Sequence, residues 1–368
     1  MHSERLFSII KRITKAYGEG GIVPDLDSLI AAVNSRISQP ADRQFDEQIS
    51  SISKSLFEKL DKSPMHEFPA TWRKIIQELD LSILLPDQVR VGIEKAFETR
   101  LVDSDLLSGL QALKKSIAKK LDGANQLQRG FQAVGIEDDE LGPGEVEFDI
   151  MMPRESIADQ LPGFTKELGR LSTQMQVIAS VAKSRQQSFT INSISTNDFS
   201  LAINIDLNLG EILAAILLGL TVIQSNYRSK ADIIKNGLSD LPAKLLESFK
   251  EWANQYVKDE IGKLIERLPA ECPDAVDAEK LLNNKVPLQA ALEYLSEGQE
   301  KGFNMDVRAG LPTMEQPDGT ASPDRILELE KEASRIRAIT EKSAQMNVLE
   351  RQTAPILSLT NTKTTDQD

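Results

Sequence analysis

The segment EVEFDIMM (Glu145–Met152) alternates acidic and apolar residues with a period of two. In an extended chain its apolar positions fall on one side and its acidic positions on the other. The segment SLAINIDLNL (Ser200–Leu209) repeats this alternation, and the segments QSFTINSI (Gln187–Ile194) and FNMDVRA (Phe303–Ala309) repeat it more weakly. The period predicts four β-strands, each with one buried face.

Helical patterns of apolar residues separate these segments, so the predicted elements run β-α-β-β-α-β with extra helices before the last strand. This order predicts a ferredoxin-like sandwich, in which strands two and three form a hairpin and strands one and three are central. Aromatic residues make up only 5% of the chain, so Leu, Ile and Ala must fill the core. The predicted class is therefore an α+β fold that is mostly helical.

Composition divides the chain into four regions. Residues 1–142 contain only helical patterns and predict an all-α domain. An acidic stretch with a Gly-Pro-Gly turn follows, and residues 143–311 form the predicted α+β sandwich domain. Residues 312–352 predict a linker and a C-terminal helix, Pro323–Glu350, which starts with a Ser cap and a Pro at its first position. The Thr-, Asp- and Asn-rich residues 353–368 predict a disordered tail.

The charge balance and the single thiol restrict the partners and the compartment. The net charge is −13, which argues against nucleic-acid binding because phosphate contacts need clustered Lys and Arg. The lone Cys272 rules out an intramolecular disulfide framework and suits a reducing environment. The first 20 residues carry charges throughout and no apolar core typical of a secretory signal. These features predict a cytoplasmic protein.

Few residues could support catalysis or metal binding. The chain has two histidines, His2 and His66, and one cysteine, Cys272, so a nucleophilic triad or a structural zinc site is not expected. The Gly-rich segment Gly18–Gly21 lacks the GK[ST] of a phosphate loop and predicts a helix cap. The segment Asp206–Gly210 has the spacing of a calcium loop without its third ligand or its final Glu, and it is predicted to belong to strand three. Neither a cofactor nor enzymatic activity is therefore expected.

The polar face of the predicted sheet is the strongest candidate surface. Neighbouring strands would bring its carboxylates to within about 5 Å of each other, where they repel unless solvated or bound to a cation. Three interpretations stay open: a solvated or helix-covered face, a surface for a protein partner, and a Mg²⁺- or Ca²⁺-dependent site. The candidate residues are Glu145, Glu147, Asp149, Asn204, Asp206, Asn208, Asp306 and Arg308.

The longest apolar run, Ile212–Ile223, is interrupted only by Gly219 and Thr221. As a helix it is apolar all round, which indicates full burial or a place in an assembly. Twelve residues rise about 18 Å, less than the ~30 Å hydrocarbon core of a bilayer, so the run is not expected to span a membrane as it stands. Burial in the protomer, a homo-oligomer interface and membrane engagement after a conformational change all stay open. The candidate contact residues are Leu213, Ile216, Leu217 and Leu220.

Taken together, the patterns predict a non-enzymatic interaction or scaffold protein. The expected activities are self-association through the apolar helix and binding of a protein partner. One alternative is a membrane-active effector that releases the apolar helix on a signal. Another is a carboxylate-based divalent-metal enzyme that uses the polar sheet face.

Overall fold

The computed structural model describes residues 3–18, 21–98, 102–139, 141–157, 161–183, 189–195, 199–237, 243–310 and 323–352. The chain divides into two compact units, Met1–Glu140 (unit 1) and Leu141–Asp368 (unit 2). The residues 312–322 of the predicted linker and the predicted tail, residues 353–368, lie outside the described part of the chain.

Among its described residues, unit 1 consists of helices joined by turns and loops and contains no β-strand. Its helices are α1 (Ser3–Tyr17), α2 (Ile22–Ser38), α3 (Gln44–Asp61), α4 (Ala70–Glu78), α5 (Pro86–Glu98) and α6 (Asp103–Ala133). In α3 the apolar residues recur at helical spacing, and Ile49, Leu56 and Leu60 are all buried. The Tyr17 hydroxyl at the end of α1 donates to the backbone carbonyl of Leu84 at 2.6 Å, and its burial raises its pKa above the usual range.

Unit 2 combines helices with a small antiparallel sheet. Its strands are β1 (Val146–Met151), β2 (Thr190–Ser195), β3 (Ser200–Ile205) and β4 (Asn304–Ala309). Its helices are α7 (Leu161–Ser180), α8 (Leu207–Gly237), α9 (Ala243–Glu271), α10 (Ala278–Asn283), α11 (Lys285–Glu300) and α12 (Pro323–Gln352). The described residues are mostly helical and include a four-stranded antiparallel sheet, which confirms the mostly helical α+β class.

The strands lie in the order β2-β3-β1-β4, so β1 and β3 are central and β2 and β3 form a hairpin. Antiparallel register places Phe148 opposite both Ile203 and Val307, and residues that lie directly opposite share a face. Alternation along each strand then gives the sheet one apolar face and one polar face.

The prediction that strand three continues to Leu209 is wrong. β3 ends at Ile205, and Asp206 caps the start of α8: its carboxylate accepts from the backbone N–H of Leu209 at 3.1 Å. An aspartate in this position satisfies a backbone donor that the first turn of a helix leaves without an intrahelical partner. Asp206 and Asn208 therefore do not belong to the polar face of the sheet.

A β-bulge in β2 changes which of its residues face the apolar side. The register shifts between Ile191 and Ser193, so Ile191 lies opposite Ile203 and Ile194 lies opposite Leu201. Strict alternation would have put the two isoleucines on opposite faces. With the extra residue, Asn192, both lie on the apolar face of the sheet.

α8 is the central helix of unit 2. It contacts α7, α9, α11 and α12 together with β1 and β4. The apolar residues of the sheet and of these helices form one hydrophobic core, in which every residue from Leu209 to Leu217, together with Leu220 and Ile223, is buried. The all-round apolar character of the helix follows from its neighbours on every side.

α12 belongs to unit 2. It packs along α8 and beside β4, and it buries Ala333, Ile336, Ile339 and Met346. These residues recur at helical spacing, whereas most other positions of α12 are charged or polar. The first turns of the helix are exposed, including Ile326 and Leu327.

Candidate functional site

The register of the sheet brings charged residues of β1 and β4 together on the polar face. Glu147 lies opposite Arg308, and Asp149 lies opposite Asp306. On the other side of β1, Glu147 lies opposite Asn204 of β3. Five of the eight polar residues predicted from the sequence therefore share this face, and we call them the sheet cluster.

Arg308 links the two carboxylates of β1. Its guanidinium donates to Glu147 Oε1, and its Nε lies 3.1 Å from Asp149 Oδ2. The planar guanidinium suits this role because its donors form a fixed fork that can engage two carboxylates at once. The Asn192 side chain donates to Glu147 Oε2 at 2.6 Å, so both oxygens of this carboxylate are hydrogen-bonded.

The sheet cluster is an internal network. Glu147 is 0% exposed, Asp149 and Asp306 are 1% exposed, and the Arg308 side chain is 10% exposed. These residues therefore do not form the open carboxylate surface that the alternation alone suggested. A buried carboxylate has to be paired and hydrogen-bonded to remain charged, and Arg308 supplies both requirements for Glu147.

The geometry gives no support to a divalent-metal site on this face. Among the described residues, no three His, Cys, Asp or Glu side chains are placed to hold a metal ion. Between Glu147 and Asp149, the guanidinium of Arg308 already supplies the positive charge that such an ion would supply.

The other three polar candidates serve local structure. The exposed Glu145 precedes β1, and its carboxylate accepts from the backbone N–H of Gly142 at 2.8 Å. Asp206 caps α8, and Asn208 accepts from Arg335 of α12 at 2.6 Å. Because these residues alternate with apolar ones, the sequence predicted that they lie in strands. In the structure Glu145 follows a turn, and Asp206 and Asn208 lie at the start of α8.

A second buried ion pair, which the sequence analysis missed, joins α12 to α8. Arg335 Nε donates to Glu211 Oε2 at 2.7 Å, and the same guanidinium donates to Asn208. Cys272 lies beside this pair, with Sγ 3.6 Å from the Glu211 carbonyl oxygen and 3.8 Å from Lys342 Nζ. The sequence did contain one indication of this pair: Glu211 is a single acidic residue at the start of an apolar helix. A carboxylate buried in that position needs a cationic partner.

The four apolar candidates of α8 all lie in the core. Leu213, Ile216, Leu217 and Leu220 are each 0% exposed. The candidate membrane span on this helix is Leu207–Ser229, 23 residues long, and its most apolar 18-residue window has a mean hydropathy of 1.8. Outside the predicted apolar run the segment carries Asn208, Glu211 and Arg228. By length and composition this is the one membrane-span candidate among the described residues, and 67% of its most apolar part is buried inside the protein.

An aromatic pair on α9, the exposed Trp252 and the half-buried Tyr256, was also missed. The chain has two tryptophans, and Trp72 is buried in unit 1, whereas Trp252 is 43% exposed. The Trp252 ring stacks on Tyr256, with a centroid distance of 5.7 Å and an interplanar angle of 20°. Trp252 could have been noticed because aromatic residues are scarce and it lies on the polar side of the predicted helix.

Unit 1 contains an open cleft of about 670 Å³ between α3 and α5. Ile49, Phe57 and Phe97 provide its apolar lining. Much of its charged rim is neutralised locally, because Arg36 and Arg90 pair with aspartates that also line the cleft. The Arg90 guanidinium in addition lies over the Phe57 ring at 4.8 Å.

A comparison of the chain with protein families, with curated proteins and with solved structures found no match, so no function can be transferred to it from a relative.

Proposed function

We propose that the protein is a non-enzymatic, cytoplasmic interaction protein that binds a protein partner through the α8–α9 helical hairpin. The observation that supports this proposal is the stack of the exposed Trp252 on the half-buried Tyr256. Tryptophan and tyrosine are enriched among the residues that dominate binding energy at protein interfaces. The charged groups that could have suggested catalysis are instead engaged in ion pairs, through Arg308 and Arg335.

The form of the hairpin agrees with a docking role. α8 and α9 have 31 and 29 residues, and each rises about 45 Å at 1.5 Å per residue. α11, which packs against α9, has 16 residues and covers about half of that length. Among the positions whose burial is described, Gln224 is the last buried residue of α8 and Ile261 is the first buried residue of α9. The intervening described positions are half-buried or exposed, and the aromatic stack lies among them.

The test is affinity purification of the tagged full chain from cells that naturally contain it. Trp252→Glu is compared with wild type and with Val286→Glu, a control at another exposed apolar residue that lies on α11. We expect at least one protein to be retained by wild type and by the control and to be reduced at least about tenfold by Trp252→Glu, as for a hot-spot residue. Identical protein sets from all three chains, each with an unchanged thermal unfolding midpoint, would contradict the proposal.

We further propose that the strands of unit 2 with α7 and α8 form an elaborated ferredoxin-like sandwich. The strand order β2-β3-β1-β4 and the helices between β1 and β2 and between β3 and β4 support this assignment. Helices α9 to α11 are then an insertion before β4. An experimental structure of unit 2 tests this proposal, which requires α7 and α8 to pack on the same face of the sheet.

A membrane-active role is the second candidate, and the 23-residue span Leu207–Ser229 favours it. That segment is long enough to cross a bilayer, since about 20 residues span the hydrocarbon core, but it includes the charged residues Glu211 and Arg228. Release would require α12 to leave α8, which breaks the ion pair of Arg335 with Glu211. Flotation of Arg335→Glu with phosphatidylcholine and phosphatidylglycerol vesicles tests the idea. Binding by the variant alone would favour it, and no binding by either chain would exclude it.

A further inference from the structure

β2 is an edge strand of the described sheet, and its own residues lack the usual protection against pairing. Of the described strands, only β3 pairs with it. Its sequence TINSIS (Thr190–Ser195) contains no charged residue and no proline, which are the residues that natural edge strands use to prevent edge-to-edge association. Ile191 is 59% exposed and Ile194 is 41% exposed.

The neutrality of this hairpin is unusual for the chain. Charged residues make up 27% of the sequence, yet residues 186–205 contain a single charge, Asp198. The net charge of −13 makes two copies repel each other over most of their surface. A contact between two copies therefore has the lowest electrostatic cost at an uncharged surface such as β2.

We propose that β2 is a self-association surface, at which a second copy of the chain adds its own β2 in antiparallel orientation. Such a contact is isologous, because the same strand contributes from both copies about a twofold axis. With the axis between residues 192 and 193, Ile191 of each copy lies opposite Ile194 of the other. The bulge places both isoleucines on the apolar face, so the four side chains form one continuous apolar patch across the junction.

This contact is independent of the proposed partner site on the α8–α9 hairpin. It also differs from self-association through α8, because the relevant residues of that helix are fully buried. Strand addition supplies main-chain hydrogen bonds to the outer edge of β2, and the isoleucine pairs provide the apolar contact. The two sheets would join into one sheet of eight strands.

The test measures the solution mass by light scattering on a sizing column, at two protein concentrations about 20-fold apart, because dimerisation follows mass action. We expect wild type to approach twice 40.8 kDa at the higher concentration. Ile194→Lys, which puts a charge on the edge strand, should remain a monomer or dimerise at least about tenfold more weakly. The control Val286→Lys, at a more exposed apolar residue away from the sheet, should behave as wild type.

Hydrogen exchange locates the contact on the same samples. In wild type the backbone amides of residues 190–195 should exchange more slowly as the protein concentration rises, and in Ile194→Lys they should not. A wild-type chain that stays monomeric would overturn the proposal. A dimer that forms equally well in Ile194→Lys, or that protects a different segment, would also overturn it. Loss of the fold by Ile194→Lys is checked by circular dichroism, and Ile191→Lys then serves as the second variant.

Discussion

Two regions of unit 2 are equally buried and differ in chemistry. The run Ile212–Leu217 of α8 is enclosed by apolar side chains, whereas the sheet cluster encloses carboxylates together with Arg308. Apolar burial requires only shape and volume to match, so several apolar residues can serve at one position. Burial of a charge requires a specific partner at a specific distance. The two regions should therefore respond differently to the same kinds of substitution.

The largest effect is expected for Leu217→Asp in α8. Leu217 is fully buried, and an aspartate there would have to ionise without a partner or unfold the surrounding core. We expect a loss of more than about 4–5 kcal/mol, enough to abolish the fold of unit 2. Urea denaturation followed by circular dichroism measures the loss. The matched control Leu217→Met keeps the volume and should cost less than about 1.5 kcal/mol. If Leu217→Asp unfolds at the same urea concentration as wild type, this helix is not part of the core.

Arg308→Met provides the corresponding test of the sheet cluster. It keeps much of the side-chain volume and removes the charge between Glu147 and Asp149, so we expect a loss of about 3–5 kcal/mol. The triple variant Arg308→Met with Glu147→Gln and Asp149→Asn removes the uncompensated carboxylates and should recover a large part of that loss. Urea unfolding of the single and triple variants gives the comparison. Equal stability of Arg308→Met and wild type would mean that the network contributes nothing to the fold.

The sequence predicted the apolar region better than the polar one, for a physical reason. Periodicity depends on each residue's own hydropathy, so it identified the strands around Phe148 and Ile203 and the apolar helix around Leu217. The partners of Glu147 depend on strand order and register, which bring Arg308 beside it from 161 positions along the chain. Alternation shows that a strand has two different faces, and it does not show that the polar face is buried.

Two features of the sheet have local causes that a period of two cannot reveal, and the first of them made the predicted end of strand three wrong. Leu207 and Leu209 continue the alternation of β3, but the Asp206 cap starts a helix there. The bulge at Asn192 moves Ile194 to the other side of β2. Both features depend on one residue, whereas a periodic pattern averages over several.

An intermediate effect is expected for Arg335→Met, which lies where α12 meets α8. The Arg335 and Glu211 side chains are 19% and 9% exposed, so water can partly compensate for the lost pair. We expect a loss of about 1–3 kcal/mol, smaller than that for Arg308→Met. Hydrogen exchange should show faster exchange in α12 while β1 and β3 remain protected. A uniform increase across unit 2 would contradict the view that this pair specifically anchors α12.

Cys272 gives a pH-dependent test of the same junction. Burial is the main cause that raises the pKa of its thiol to about 11 from 9.0, and Lys342 acts in the opposite direction. The thiol ionises more readily in the unfolded chain, so its contribution to stability is present below pH 9 and is lost as the pH rises towards 11. As the pH rises from 9 to 11, the free energy of unfolding of Cys272→Ala should fall by less than that of wild type. A thiol reagent at pH 8 should react only after denaturant is added, and rapid reaction with the folded protein would show that the junction is open.

The smallest effects come from two glycines that test how tightly α8 and α9 pack. A Cβ at Gly219 would lie 2.5 Å from Cδ1 of the buried Leu264, whereas a Cβ at Gly262 would meet nothing within 4 Å. Alanine in a helix is favoured over glycine by roughly 1 kcal/mol, so Gly262→Ala should stabilise the protein by about that amount. At Gly219 the same gain is opposed by an overpacking cost of about 1–3 kcal/mol, so Gly219→Ala should be neutral or destabilising.

Thermal unfolding of the two variants should therefore move the midpoint up for Gly262→Ala and leave it unchanged or lower for Gly219→Ala. A gain at both positions would mean that the contact of α8 with α9 is loose enough to admit a methyl group, and that the apolar region is less tightly packed than its burial implies.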